Sequence, residues 1–370
     1  YNVDFSPIGP GGPMDRNLRE VGDYFNRIQD AGSSEALADT VVTLLYIPEF
    51  DEYRTAMSQL GPDFYGEHQA ELLRSSQRFN DTLLDGGAFR FMEQDMLIWL
   101  NFQADSTNQD SYGDYKMFDH GSSNVSIGFQ KLLKSNWTVG AGFSFENGKF
   151  IGYDGRWTAE GDTRHLGVMA KRCYGATELM GTLTYGWNNT DSERRGQVTD
   201  PFNAKVRRDL EAFTAAGRVS HQFDQGKSYV RPALDAGLTR LIADDAIESN
   251  GGPTSLTLQR YYETHVWVRP SLKFGNLQTF GSGLKLHLYA EFGLQYYLTG
   301  SHTDAIAGFT GAPADVSPMA VPIALDSSAH GTFGVEMISS KNTSITLEYA
   351  KIVSANFDID QWNLRLNVRF

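Results

Sequence analysis

From about residue 91 to its end, the chain alternates apolar and polar residues with a period of two. Its last stretch, "QWNLRLNVRF", sets Trp362, Leu364, Leu366, Val368 and Phe370 on one side and Asn363, Arg365, Asn367 and Arg369 on the other. Successive strand side chains point to opposite faces, so this pattern serves a sheet with one apolar and one polar face. The same grammar recurs in "NVSIGFQ", "WTVGAGFSFE" and "LKLHLYAEFGLQY". Twelve strands are expected, at roughly 91–105, 113–132, 136–150, 162–173, 177–189, 207–223, 227–243, 256–274, 284–299, 327–339, 342–354 and 359–370.

A soluble sandwich and a membrane barrel both alternate. Three features favour the barrel. Many stretches exceed ten residues, longer than ordinary globular strands and suited to crossing a bilayer at a tilt. The connections alternate in length: 135–136, 174–176, 224–227, 275–283 and 340–342 form the shorter set, and 189–207, 243–256 and 299–327 stand out in the longer one, with 354–359 short for its set. Short turns on one rim and long loops on the other are the outer-membrane pattern. Trp137, Tyr185, Trp187, Tyr296, Tyr349 and Trp362 fall toward strand ends on the apolar face, as interfacial girdles require.

Composition is compatible with this reading. Mean hydropathy is −0.37. No run of 18 apolar residues offers a transmembrane helix. A net charge of −13 argues against a nucleic-acid partner. The single cysteine, Cys173, rules out a disulfide within the chain. The chain opens on Tyr1 without a signal peptide and is expected to be a processed piece of a longer protein.

The first 85 residues follow another grammar. Residues 1–13 hold three Pro and three Gly and read as a linker. Helices are expected in "MDRNLREVGDYFNRIQDAG", in "SSEALADTVVTLLYIP" with a serine cap, in "EFDEYRTAMSQLGP", and over residues 63–84 up to Gly86-Gly87.

The order of parts resembles one family, the translocator domain of type Va autotransporters. The resemblance covers most of residues 15–370. It rests on Asn17 followed by "LREVGDYF", on "SQLGPDFYGEHQAELLRSSQRFNDTLL" leading into the barrel, on the twelve strands and on the terminal aromatic. Gly61-Pro62-Asp63 departs from the Ser and Glu commoner there. The resemblance implies an all-β membrane protein, a 12-stranded antiparallel transmembrane β-barrel with an N-terminal helical segment whose last helix threads the lumen. Strand parity agrees. With an even count the first strand starts on the rim where the last one ends, so a helix joined there and bound for the other side runs through the pore.

The expected division is 1–60 as passenger tail or cap, 61–86 as pore helix and 87–370 as barrel. The expected function is to anchor an N-terminal passenger in the bacterial outer membrane and export it to the cell surface, with the N-terminal segment outside. The expected partners are outer-membrane lipid, the linked passenger and the barrel-assembly machinery, which would read Trp362, Leu364, Leu366, Val368 and Phe370. The protein is expected to be a monomer. A porin is the alternative, and an outer-membrane hydrolase a more distant one.

Glu71, Arg74, Arg78 and Asn80 mark the pore helix; Arg74 and Arg78 share a face. Glu146, Asp235, Glu291, Glu336 and Glu348 face inward and are candidate partners for the arginines. His165, His265 and His287 are read as lumen residues rather than ligands. The acidic stretches 105–119 and 245–252 are read as solvated loops rather than calcium sites. No hydrolase, zincin or Walker motif occurs, so neither an enzyme nor a cofactor or metal is expected. Some family members cut themselves in the lumen. Asn80, Glu146 and Glu291 are the conceivable residues, but no cleavage motif surrounds them.

Overall fold

The computed structural model describes residues 3–10, 12–85, 96–110, 117–134, 136–152, 155–281, 283–339 and 342–370. The Gly86-Gly87 helix stop, the expected start of the first strand at 91–95 and that of the second at 113–116 lie outside them, as do parts of the 135–136 and 340–342 turns.

Twelve antiparallel strands close into a barrel and are labelled β1 to β12: Met96–Gln109, Phe118–Leu132, Trp137–Gly152, Trp157–Tyr174, Thr177–Gln197, Pro201–His221, Ser228–Ala243, Tyr261–Thr279, Lys285–Thr299, Ser328–Ile338, Thr343–Val353 and Phe357–Arg369. Each pairs with its neighbours in sequence, and β1 pairs with β12 from Leu97↔Arg369 to Gln109↔Phe357. The Phe370 amide donates to the Met96 carbonyl (3.0 Å) at the foot of this seam. Closure leaves no strand edge facing lipid, where unpaired backbone groups would be costly.

The burial pattern is inverted relative to a soluble protein. Along β2, Val125, Ile127 and Phe129 are exposed, while Asn124 and Ser126 are buried. Apolar side chains form the outer surface and mostly polar ones the lumen, with Trp99, Phe118, Phe150 and Trp157 among the inward exceptions. Tyr185 stacks on Trp187 (5.7 Å between centroids), and Tyr349 packs at a tilt against Trp362 (4.9 Å).

Helix α1, Arg16–Asp30, is capped by Asp15, whose carboxylate accepts from the Leu18 amide (2.8 Å). Helices α2, Ala38–Leu45, and α3, Phe50–Ser58, follow. Ser34 does not cap its helix as expected; its hydroxyl donates to the Gly311 carbonyl instead (2.5 Å). Helix α4, Asp63–Leu84, spans 22 residues, about 33 Å at 1.5 Å per residue.

Three expected loops are corrected. The 189–207 connection is mostly strand: β5 and β6 run on to Gln197 and Pro201. Beyond the bilayer the outer face of the ribbon is wet and polar while Ser192 and Arg194 stay buried on the inner one, so the apolar–polar alternation that marks a strand fades while its hydrogen bonds continue. The connections 244–260 and 300–327 supply short strands Ala246–Ile247, Leu256–Leu258, His302–Phe309 and Met319–Ala324, which form a second, four-stranded sheet. Against this sheet pack Leu18, Val21, Phe25 and Ile28 of α1, with Phe5, Leu44 and Met57, in one core with Leu256, Phe309 and Met319. The N-terminal helices and the long loops therefore make a single cap over one mouth.

Candidate functional site: the lumen and its helix

Helix α4 is buried on nearly every side, charged residues included. An amphipathic surface helix has one wet face; a helix buried all round is surrounded by protein. Its partners are distributed around the barrel wall. Ser75 donates to Glu146 on β3 (2.9 Å), Ser76 lies 3.5 Å from His165 on β4, and Thr182 on β5 donates to Asn80. Asp85 pairs with Arg218 on β6 (2.5 Å) and Asp81 with Arg269 on β8. Gln77 donates to Tyr297 on β9 (3.2 Å), and Gln109 on β1 donates to Glu67 (2.9 Å). The helix thus lies inside the barrel, running from the capped mouth at Asp63 toward the short-turn mouth at Leu84.

At mid-height Arg78 gathers three carboxylates: Glu71 at 2.8 Å, Glu146 at 3.0 Å and Asp105 at 3.4 Å. Arg74 turns to Glu71 (2.8 Å) and stacks over Phe357. Of the five expected lumen carboxylates, Glu146 is the one beside Arg78. Asp235 joins Arg218 (2.6 Å) and Arg269 (2.9 Å), which reach on to Asp85 and Asp81. Glu291 pairs with Lys273 (2.8 Å), Glu336 with His287 (3.2 Å), and Glu348 accepts from Tyr289.

The C-terminal end of α4 is fastened by Arg365, which donates to the carbonyls of Asp85 (3.0 Å) and Thr82 (3.4 Å). A cation there satisfies orphan carbonyls and the negative end of the helix dipole. Along β3 and β4 the helix needs room. Gly142 and Gly167 stand where a Cβ would press on Leu83, and Phe79 and Leu83 pack with Trp99 in that space.

At the capped mouth, Arg194 donates to Glu248 (2.9 and 2.5 Å), to the Gln59 carbonyl (2.7 Å) and to the Thr254 carbonyl (2.9 Å). Tyr65 of α4 donates to the same Glu248 (2.7 Å). Phe64, Phe150, Trp157 and Phe118 fill the surrounding space. Sequence reasoning missed Arg194, Arg218, Arg269 and Arg365. Each sits on the polar face of its strand, but alternation gives no partner.

His165, His265 and His287 are buried lumen residues. Among the described residues no group of three or more His, Cys, Asp or Glu side chains is arranged to hold a metal ion. Beside the helix, a cavity of about 100 Å³ lies between Arg78, Asp81, Lys273, Glu291 and Arg365.

The model of the autotransporter beta-domain family matches residues 98–350, more than half of the chain. The fold is similar to three solved structures. The translocator domain of the autotransporter NalP from Neisseria meningitidis is 14% identical, with a TM-score of 0.68 over 83% of this chain and 99% of that one. The beta domain of the Bordetella autotransporter BrkA is 16% identical, with a TM-score of 0.56 over 75% and 100%. The transport unit of the autotransporter AIDA-I from Escherichia coli is 13% identical, with a TM-score of 0.50 over 80% and 98%. No curated protein matches this chain.

Proposed function

Because the chain belongs to the autotransporter beta-domain family, and is therefore an outer-membrane translocator for a linked passenger, we propose that α4 is the end of the exported segment, retained in the lumen as tether and plug. The observation that carries this is the set of α4 partners on seven strands around the closed wall. In this reading, residues 1–60 are the passenger's tail, folded over the outer mouth. Residues 61–86 cross the pore, and 87–370 form the barrel. Glu71, Arg74, Arg78 and Asn80 hold the helix in place, with Glu146 as a direct partner.

The N-terminal segment lies at the cell surface and Phe370 in the periplasm. The ends of α4 at opposite mouths and the even strand count support this orientation. The alternating end from Trp362 to Phe370 is read by the barrel-assembly machinery. A barrel whose edges are all paired within one chain needs no second copy, so it acts as a monomer. Any catalysis belongs to the passenger, not to the barrel.

The test is single-channel conductance of the 370-residue chain in a planar bilayer, beside a version lacking residues 1–84 and checked for folding by unboiled gel mobility. A low conductance that becomes large and steady on deletion supports the plug. A large, steady conductance in the intact chain supports a porin instead. Orientation is read separately on intact cells in a Cys173→Ser background. An impermeant maleimide should label Tyr46→Cys on the exposed cap and spare Lys134→Cys at a short turn; the reverse pattern overturns it.

A further inference from the structure

The lipid-facing wall carries one row of small residues. Ala170 on β4, Gly181 on β5, Gly217 on β6 and Ala236 on β7 are successive register partners, all on the outer face. The neighbouring rows are larger: Val168, Leu183 and Leu238 toward the capped mouth, interrupted by Ala215 on β6, and Leu179, Val219 and Leu234 toward the short turns. Between them lies an apolar trough with a volume of about 810 Å³. From Ala170 to Ala236 it crosses three strand spacings, roughly 14 Å, a large part of an acyl chain's length.

The trough has a direction. The register continues from Ala170 to Val139 on β3 and Lys131 on β2, and from Ala236 to Val268 on β8. Lys131 is one residue from the short-turn end of its strand, and Ala170 is four from Tyr174. Ala236 is eight residues from Ser228, and Val268 eleven from Thr279. The row therefore starts at the short-turn rim and climbs to mid-strand. Its rim end is cationic. Lys131 is exposed, and the Arg172 guanidinium lies over the rings of Trp137 (5.5 Å) and Tyr174 (4.9 Å). Among the described residues neither cation has a carboxylate partner.

We propose that this trough binds one phospholipid of the leaflet on the short-turn side, with its phosphate at Lys131 and Arg172 and an acyl chain along the Ala170–Ala236 row. Charge at the interfacial end, apolar surface beyond it and a path rising into the membrane are the order of parts in such a lipid. A second copy in the same membrane fits less well, because a two-fold contact here brings Arg172 toward its own counterpart.

The experiment is native mass spectrometry of the full chain released from detergent micelles supplemented with phosphatidylglycerol. Gly181→Leu and Gly217→Leu fill the trough, Lys131→Gln with Arg172→Gln removes the charge, and Ala290→Leu alters the outer wall two strands beyond Ala236, on β9. All variants are checked for folding by unboiled gel mobility, and two fillings guard against the failure of one. The expected result is one retained phospholipid on wild type and on Ala290→Leu, reduced at least tenfold by either filling and by the charge removal. Equal retention on wild type, fillings and control would mean annular lipid only and overturns the proposal. So does an absence of retained lipid on wild type, or a dimer that the fillings abolish.

Discussion

Arg194 and Glu248 form a two-pronged ion pair in which neither side chain is exposed to solvent. Arg194 belongs to the barrel wall, Glu248 to the cap, and Tyr65 of α4 shares the same carboxylate. Three separate parts of the chain are thus joined at one buried charge pair.

Replacing Glu248 with Leu leaves the Arg194 charge buried without its counterion, at a cost of about 3–5 kcal/mol. Cap opening should become ~100-fold or more easier, read as faster limited proteolysis within residues 1–60 while the barrel resists. Adding Arg194→Met should restore much of the resistance. Unchanged cleavage in the single variant refutes a latch role.

Arg78 holds apart Glu71, Glu146 and Asp105. Arg78→Ala removes the shared cation and leaves three carboxylates together, again about 3–5 kcal/mol against the docked helix. Conductance of the full chain should show frequent openings. Arg74→Ala, which removes one pair with Glu71 and the contact over Phe357, should do less. Equal behaviour of the two variants would mean that the cluster does not secure the plug.

The cap should be sensitive to alkali. The Tyr53 hydroxyl donates to the Phe5 carbonyl (2.6 Å), and the Tyr24 hydroxyl accepts from the Phe309 amide (3.1 Å). Burial pushes both phenols above their ordinary value near 10. The folded cap therefore keeps its protons where the unfolded one would lose them. That stability is fully present below pH ~10 and falls as the pH rises beyond it. Protease resistance of the cap should drop above pH ~10 while the barrel persists. Tyr53→Phe should blunt the drop, at a cost of about 1 kcal/mol at neutral pH from the lost hydrogen bond. A cap equally resistant at pH 8 and pH 11 contradicts this.

Phe370 is an exposed side chain at the seam, bound to Met96 through its backbone. Phe370→Ser should leave refolding in detergent nearly unchanged but lower the amount of folded barrel recovered from cells severalfold. Equal losses in both settings would mean a stability role instead of recognition during assembly.

The barrel was legible from sequence because a bilayer makes alternation strict: Val125, Ile127 and Phe129 have no other permissible face. Legibility ended where the bilayer ends. Arg194 and Arg195 are strand residues at the far end of β5, yet "SERRGQ" carries charge on both faces and reads as loop. The His302–Phe309 and Met319–Ala324 hairpin did leave a trace, since Ala305, Ala307 and Phe309 alternate, as do Met319, Val321 and Ile323. Pro322 and the Pro-rich turn obscured it. Arg74 and Arg78 were recognisable as cations on one face. That Arg78 takes Glu146 while Glu291 goes to Lys273 depends on strand register and on the angular position of α4, which no local pattern encodes.

The polarity of the lumen has a consequence for whatever moves through it. A greasy tunnel would hold each apolar side chain that passed, and the grip would vary from one stretch of cargo to the next. Where the wall presents Thr, Asn, Arg, Asp and Glu it stays hydrated until something displaces the water, and a passing polar group can take over the hydrogen bonds that the water made. Such a surface is nearly frictionless toward composition. It becomes adhesive only when a segment arrives whose own charges match the wall position by position, as Arg78, Asp81 and Asp85 do. The same side chains thus give a passage indifferent to what travels and selective about what stays.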